Sequence, residues 1–518
     1  FSCSTAKIYP RMNCPKTRLR HKTLTGLTLA ALGALTVHAA TDWTGATSTD
    51  WNTATNWVGG AVPNGADAYI NNAPNGNIAT ISANAPTALG IFIDSGSLNH
   101  TAGSISVQNA GWPGGWVIVG GYASATYNLA DTAVGGGTFT GYGTGSGSLT
   151  TGGEIRVGAG SWWDHATGAL NINTSGTLQA NGPLVIAAKN GDNGTANIDA
   201  GTVILKGGWQ TSMDIASGST TETATGSLNM SGGTVTLDNR LSMGVGTRSG
   251  NGADVPYVYA NGSNVATLTM TGGTLTTDAA HNNGWQGGLY MATGDGGTGG
   301  SATINLNGGT LSTRTVFSGS WNGGTKGTST FNFNGGTLQA SDNRPAWDQL
   351  MAANAITHAY VKAGGAVIDT NGFEVWIGQN LEGDLVSTGG GLTKQGLGTL
   401  VLTGANTFTG SIHVNAGTLS INSAFIADTA SVYLLTGAIF DLAYSGSDTI
   451  VSLFINDVAQ GVGTYGSLTS TADFKSAFFT GNGLLNVTSA IPEPSTCGLV
   501  AGGLVLVGAM VRRRRANA

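Results

Sequence analysis

The chain has 518 residues, of which only 9% are charged and 85 are glycine. Six of its 21 basic residues precede Ala40 and four follow Val511, which leaves eleven against 27 acids and a charge near −16 for the region between. That balance excludes nucleic acid as a partner, because no basic patch exists to neutralise phosphates.

Residues 1–39 read as a secretory signal peptide. Lys16, Arg18, Arg20 and Lys22 precede an apolar run from Leu24 to Val37, and Val37-His38-Ala39 supplies a small-residue cleavage site ahead of Ala40. Met12 would start a signal of ordinary length, so the first eleven residues read as either an over-extended or a truncated start. The secretory translocon is the partner this implies. Cys3, Cys14 and Cys497 all lie in end segments, so between the ends disulfides, thiol catalysis and cysteine-ligated zinc are excluded.

The central region, 40–490, repeats a short cassette: LNMSGGTVTL from Leu228, LTMTGGTLTT from Leu268, INLNGGTLST from Ile304 and FNFNGGTLQA from Phe331. Looser copies start at Leu170, Ala196 and Val414. Apolar and polar residues alternate on both sides of a glycine-bearing corner, the pattern of strands with one buried face. The corner threonines Thr177, Thr202, Thr234, Thr274, Thr310 and Thr337 are 25, 32, 40, 36 and 27 residues apart. Irregular spacing around a fixed corner suits a solenoid whose coils carry loops of different length. A succession of hairpins in a sandwich is the competing arrangement. The cassettes, however, lack partner strands at hairpin distance, and stacking one cassette on the next satisfies all of them. The expected fold is all-β, a right-handed parallel β-helix, with stacked Asn and Thr forming hydrogen-bonded ladders.

Such folds also carry polysaccharide lyases and hydrolases, which need clustered carboxylates or a positioned base. The richest candidate is SWWDHATG, with Trp162, Trp163, Asp164 and His165; the competing reading is a loop whose tryptophans pack on a coil. His100, His281 and His358 are isolated in sequence. GDGGTGGSA, from Gly294, carries one glycine-aspartate element without the tandem repeat that binds calcium. No catalytic residue, metal or cofactor is expected.

At the C-terminal side, GLTKQGLGTLVLTGANTFTGSIHVNAGTLSI, residues 391–421, resembles an autotransporter-associated β-strand repeat. The likeness is carried by Gly391, Lys394, Gly396, Gly398, Thr399, Leu400, Leu402, Gly404, Asn406, Thr409, Gly410, Val414, Gly417, Thr418 and Leu419. It implies the β-helical passenger region of a secreted surface protein. The tryptophan-rich stretch from Trp43 resembles the opening of such proteins, and the stretch from Gly463 their closing segment.

The tail, 491–518, has three parts: Pro492-Glu493-Pro494, an uncharged apolar run over 495–511, and Arg512, Arg513, Arg514 and Arg515. A run of that length is at the short end of what crosses a bilayer as a helix, and the arginines would stop transfer on the cytoplasmic side. Order and spacing resemble a PEP-CTERM sorting signal, which implies processing by an exosortase-like membrane enzyme. The function expected is a structural or adhesive cell-surface or matrix protein, meeting exopolysaccharide or neighbouring surface proteins. The alternatives are a polysaccharide-active β-helix enzyme and a carbohydrate-binding scaffold without chemistry.

Overall fold

The computed structural model describes residues 40–71, 76–108, 115–121, 123–130, 146–159, 165–207, 211–216, 222–245, 247–248, 258–259, 263–277 and 287–489. The chain divides into Phe1–His38 and Ala39–Ala518, and all described residues belong to the second unit. The signal segment 1–39, the run 495–511 and the rest of the tail lie outside the described residues. Among the described residues there is no α-helix, and no helix is long and apolar enough to cross a membrane.

Strand is nearly the only regular structure of the described residues, and the sheets are built mainly by parallel pairing of one coil on the next, an arrangement consistent with a β-helix. Three ladders run side by side. The first begins at Thr41–Asp42, passes through short strands such as Ile155–Val157, Leu184–Ile186 and Leu289–Met291, and ends this stretch at Val316–Phe317. Backbone bonds from Val316 to Leu350 and between Leu350, Arg344 and Trp376 carry it on to Glu374–Ile377, Thr399–Leu402 and Gly417–Ile421. The second and third ladders are the two halves of each cassette. Thr167–Ala180 contributes its front half to one and its back half to the other, and Asn193–Leu205 stacks on it in the same way.

The corner threonines fall into one column: Thr177 pairs with Thr202, then Thr234, Thr274, Thr310 and Thr337 in succession. On either side of that column the apolar positions stack inward. One interior column is Leu178, Val203, Val235, Leu275, Leu311, Leu338 and Ile368, all fully buried. The spacing of 25 to 40 residues is absorbed in the loops, and the register shifts at the corners, between Ile172 and Thr177 and between Met270 and Thr274, leave the threonine column aligned.

The corner needs both of its glycines, for different reasons. At Gly233, Gly273 and Gly309 φ lies between 68° and 75°, a region that an L side chain enters at a cost of roughly 1 kcal/mol or more. Gly232, Gly272 and Gly308 have no such φ, but a Cβ there would stand 2.1–2.4 Å from the carbonyl oxygen of the preceding coil. A second corner follows the first ladder. There Gly120, Gly158, Ala187, Ala216, Gly244 and Ala292 all have positive φ, so three alanines are held in the left-handed region.

Outward-facing polar positions also stack. Asn128 Nδ2 donates to Asn99 Oδ1 at 2.9 Å, Asn171 to Asn128 at 2.7 Å, Asn197 to Asn171 at 2.8 Å and Asn229 to Asn197 at 2.9 Å. Thr269 takes the next rung, and the series resumes where Asn332 donates to Asn305 at 2.8 Å. Asn128, Asn171 and Asn197 each give to the coil below and accept from the one above, which is why a neutral residue with both functions suits the position.

The first coils of the described stack are covered, and so is the last strand of its third ladder. Trp51 and Trp57 meet edge to face at 4.7 Å, Trp43 and Trp57 at 5.0 Å, and all three rings are buried against the first coils. Buried Asn56 fixes the approach, accepting from the Thr47 and Ser48 backbone N–H groups at 2.9 and 3.0 Å. At the other end Val458–Ala459 folds back antiparallel on Ser452–Ile455, the last strand of the third ladder.

The second corner generates a paired prediction. Gly158→Ala should lower stability by about 2 kcal/mol or more, since its Cβ would lie 1.9 Å from the Asn193 carbonyl oxygen. Ala216→Gly should change stability by less than about 0.5 kcal/mol, because relief of the left-handed conformation and the added freedom of the unfolded chain nearly cancel. Urea midpoints of the two variants check both; equal effects would disprove the argument.

Candidate functional site

Pro492, Glu493, Pro494 and Arg512 to Arg515, expected to act in sorting, lie outside the described residues, as do Val37, Ala39, Trp162, Trp163, Asp164 and His281. Ala40 is described and exposed.

His165 is held with φ 69°, and its ring lies against Gly191, where an added Cβ would come within 2.4 Å. Its Nε2 meets Glu222 Oε2 at 2.6 Å, with the two side chains 62% and 55% exposed. Glu222 belongs to a later coil and nothing in its sequence context marks it, because the two are 57 residues apart. Beside them Asp192 is buried, and its carboxylate accepts from the backbone N–H groups of Ala166, Ala188 and Lys189. Burial pushes Asp192 up to about 6 against the pull of those N–H groups. Both of its oxygens are engaged in clasping the loop, so this second carboxyl does not join the His165–Glu222 pair as an acid–base partner.

The remaining candidates are separate. His100 is buried, its Nδ1 3.0 Å from the Tyr127 hydroxyl and its Nε2 3.2 Å from the Gly103 carbonyl oxygen. His358 pairs with Glu382 at 3.1 Å and stacks on Tyr360. Gly294–Asp295 forms a short parallel pair with Ser320–Trp321. Among the described residues no group of three or more His, Cys, Asp or Glu side chains is placed to hold a metal.

In the repeat at 391–421, Lys394 occupies an interior position. It stacks between Ile368 and Val414 in the column that is aliphatic elsewhere, and it is fully buried. Its ammonium turns back to the corner and donates to the carbonyl oxygens of Gln395 at 2.9 Å, Gly396 at 2.7 Å and Ala416 at 3.0 Å. Burial lowers its pKa to about 8, with Asp369 acting in the opposite sense. The lysine thus pins two successive coils where the spacing has shortened, a role the alternating pattern alone did not assign.

Residues 392–421 match the family Passenger-associated-transport-repeat. Over 103 residues the chain is 39% identical to the adhesin BmaC autotransporter of Brucella suis biovar 1 (strain 1330). That stretch covers 20% of this chain and 3% of the adhesin. No solved structure matches the chain. The family match falls on coils of the stack, within residues 392–421.

Two predictions concern these buried polar groups. Lys394→Met leaves three carbonyl oxygens without their donor and should lower stability by about 2 kcal/mol, read as a drop in Tm. His100, pushed by burial down to about 4, stays neutral in the fold while the unfolded chain takes up a proton near 6.5. Its stabilising contribution is therefore complete above pH 6.5 and lost as pH falls toward 4, on the order of 3 kcal/mol. His100→Gln should flatten the stability profile across that window; an unchanged profile would remove His100 as its cause.

Proposed function

We propose that the chain is an exported surface protein with a structural or adhesive role, a passenger-like β-helix that displays its outer faces and performs no turnover. The single observation that carries this reading is the continuity of the corner column into residues 392–421. One uninterrupted stack runs from the cassettes into the segment that matches the passenger-associated repeat. The similarity to an autotransporter adhesin supports the same direction. The coils are taken as right-handed, the hand of nearly all parallel crossover connections.

In this reading the translocon recognises residues 1–39, and an exosortase-like enzyme processes the tail at Pro492-Glu493-Pro494, with residues 495–511 spanning the membrane and Arg512 to Arg515 halting transfer. Low charge suits the role. Like side chains recur roughly 4.8 Å apart on successive coils, so a charged column would repel itself, whereas hydroxyls and amides hydrogen-bond along it. Exopolysaccharide or neighbouring surface proteins are the partners this exterior would meet.

Protease shaving of intact cells, followed by fractionation, tests the assignment. The full chain should be cleaved from outside, and Glu493→Ala or removal of Arg512–Arg515 should leave it unprocessed or in the wrong fraction. A chain protected inside the cell overturns the surface reading, and tail variants that fractionate normally overturn the sorting signal. Release of reducing ends from a polysaccharide, lost in His165→Ala, would replace the display reading with an enzymatic one.

A further inference from the structure

Aromatic residues are 7% of the chain, yet the outer face of the first ladder gathers several of them. Tyr290 and Phe317 are partners on adjacent coils, and Trp321 packs on both, 5.7 Å from Tyr290 and stacked at 5.4 Å on Phe317. Trp321 is still 39% exposed. Arg240 lies over the Tyr290 ring at 5.0 Å. Two coils further on, Trp376 faces outward between buried Val375 and Ile377, its indole N–H donating to Glu374 at 2.6 Å.

Between these rows the chain does something different. Arg344 and Leu350 hold their places in the ladder by backbone bonds to residues 374–376, but residues 345–349 leave the sheet as a turn closed by the Asp348 N–H on the Pro345 carbonyl at 2.9 Å. At its tip stands Trp347, 84% exposed. In a chain with so few charges, four are spent at the base of this turn. Buried Arg344 pairs with Asp348 and Asp342, and Arg314 reaches Asp342 at 3.4 Å and Asp348 at 3.5 Å. An exposed indole on a free loop loses entropy on binding; one on a loop fixed by two arginines has lost it already. The indole is too exposed to stabilise the fold by burial, so the ion-pair cluster serves its presentation.

We propose that Trp321, Trp347 and Trp376 form a binding strip for a linear neutral polysaccharide, whose apolar sugar faces stack on the indoles. The proposal rests on the surface-display reading and names its ligand. Two features select this ligand class. The region between the end segments carries a charge near −16, which repels anionic polymers and anionic lipid. The rise per coil, about 4.8 Å, is close to the length of one hexose unit, so a sugar chain lying along the ladder would meet equivalent positions on successive coils.

The test is retention of the full-length chain on cellulose, xylan, mannan and β-1,3-glucan, with alginate and polygalacturonate as anionic comparisons. At least one neutral polymer should be retained, and Trp347→Ala should weaken that retention about tenfold or more, as loss of an aromatic anchor does elsewhere. Because Trp347 is exposed, its thermal unfolding should match the parent. Trp321→Phe, which keeps the packing on Phe317, should weaken retention less than Trp347→Ala. Retention unchanged in Trp347→Ala, retention of the anionic polymers alone, or no retention by a folded chain would each overturn the proposal. A chain found on the cell surface in that last case leaves the display reading standing, whereas a chain found inside the cell removes the display reading whatever the polymers do.

Discussion

The parallel backbone ladder is the constraint from which the rest follows. Every coil must return its strands to the same three places, with the same inward and outward residues, or the hydrogen bonds of both neighbours are lost. That requirement explains why the apolar columns are continuous over seven coils at Leu178 to Ile368. It also explains why the corner permits so little variation while the connecting loops vary freely. A glycine pair satisfies two unrelated demands there, one of conformation and one of space.

Polar groups obey the same geometry. The asparagine series works because a primary amide both donates and accepts along one axis, and a column of carboxylates or ammonium groups in its place would be a column of like charges. Buried charge is met by polar or aromatic groups, although the two terminal nitrogens of Arg156 have no hydrogen-bond partner. Lys394 finds three carbonyl oxygens, and Arg156 meets Glu154 at 2.7 Å while lying over the Trp116 ring at 4.6 Å.

The second and third ladders were legible because each cassette writes both halves around a marked corner. The threonine column follows directly from their alignment. The first ladder was not legible: its strands, such as Ile155–Val157 and Leu184–Ile186, are three residues long, too short for any period to register. The partner of His165 was hidden for another reason, since Glu222 comes from a later coil across an irregular loop. The resemblance includes Lys394, but its inward direction follows only from Ile368 and Val414 above and below it. Trp347 carries no pattern at all; only the ion pairs beneath it give its exposure meaning.

The fold-back of Val458–Ala459 on Ser452–Ile455 bears on how a parallel stack is brought to an end. A terminal rung of unsatisfied N–H and C=O groups would template the next molecule, and a stack already arranged as cross-β is the most hospitable template there is. Two residues running the opposite way break that invitation. They leave the third ladder with a two-residue edge that runs against the stack, so this ladder is ended by a change of chain direction.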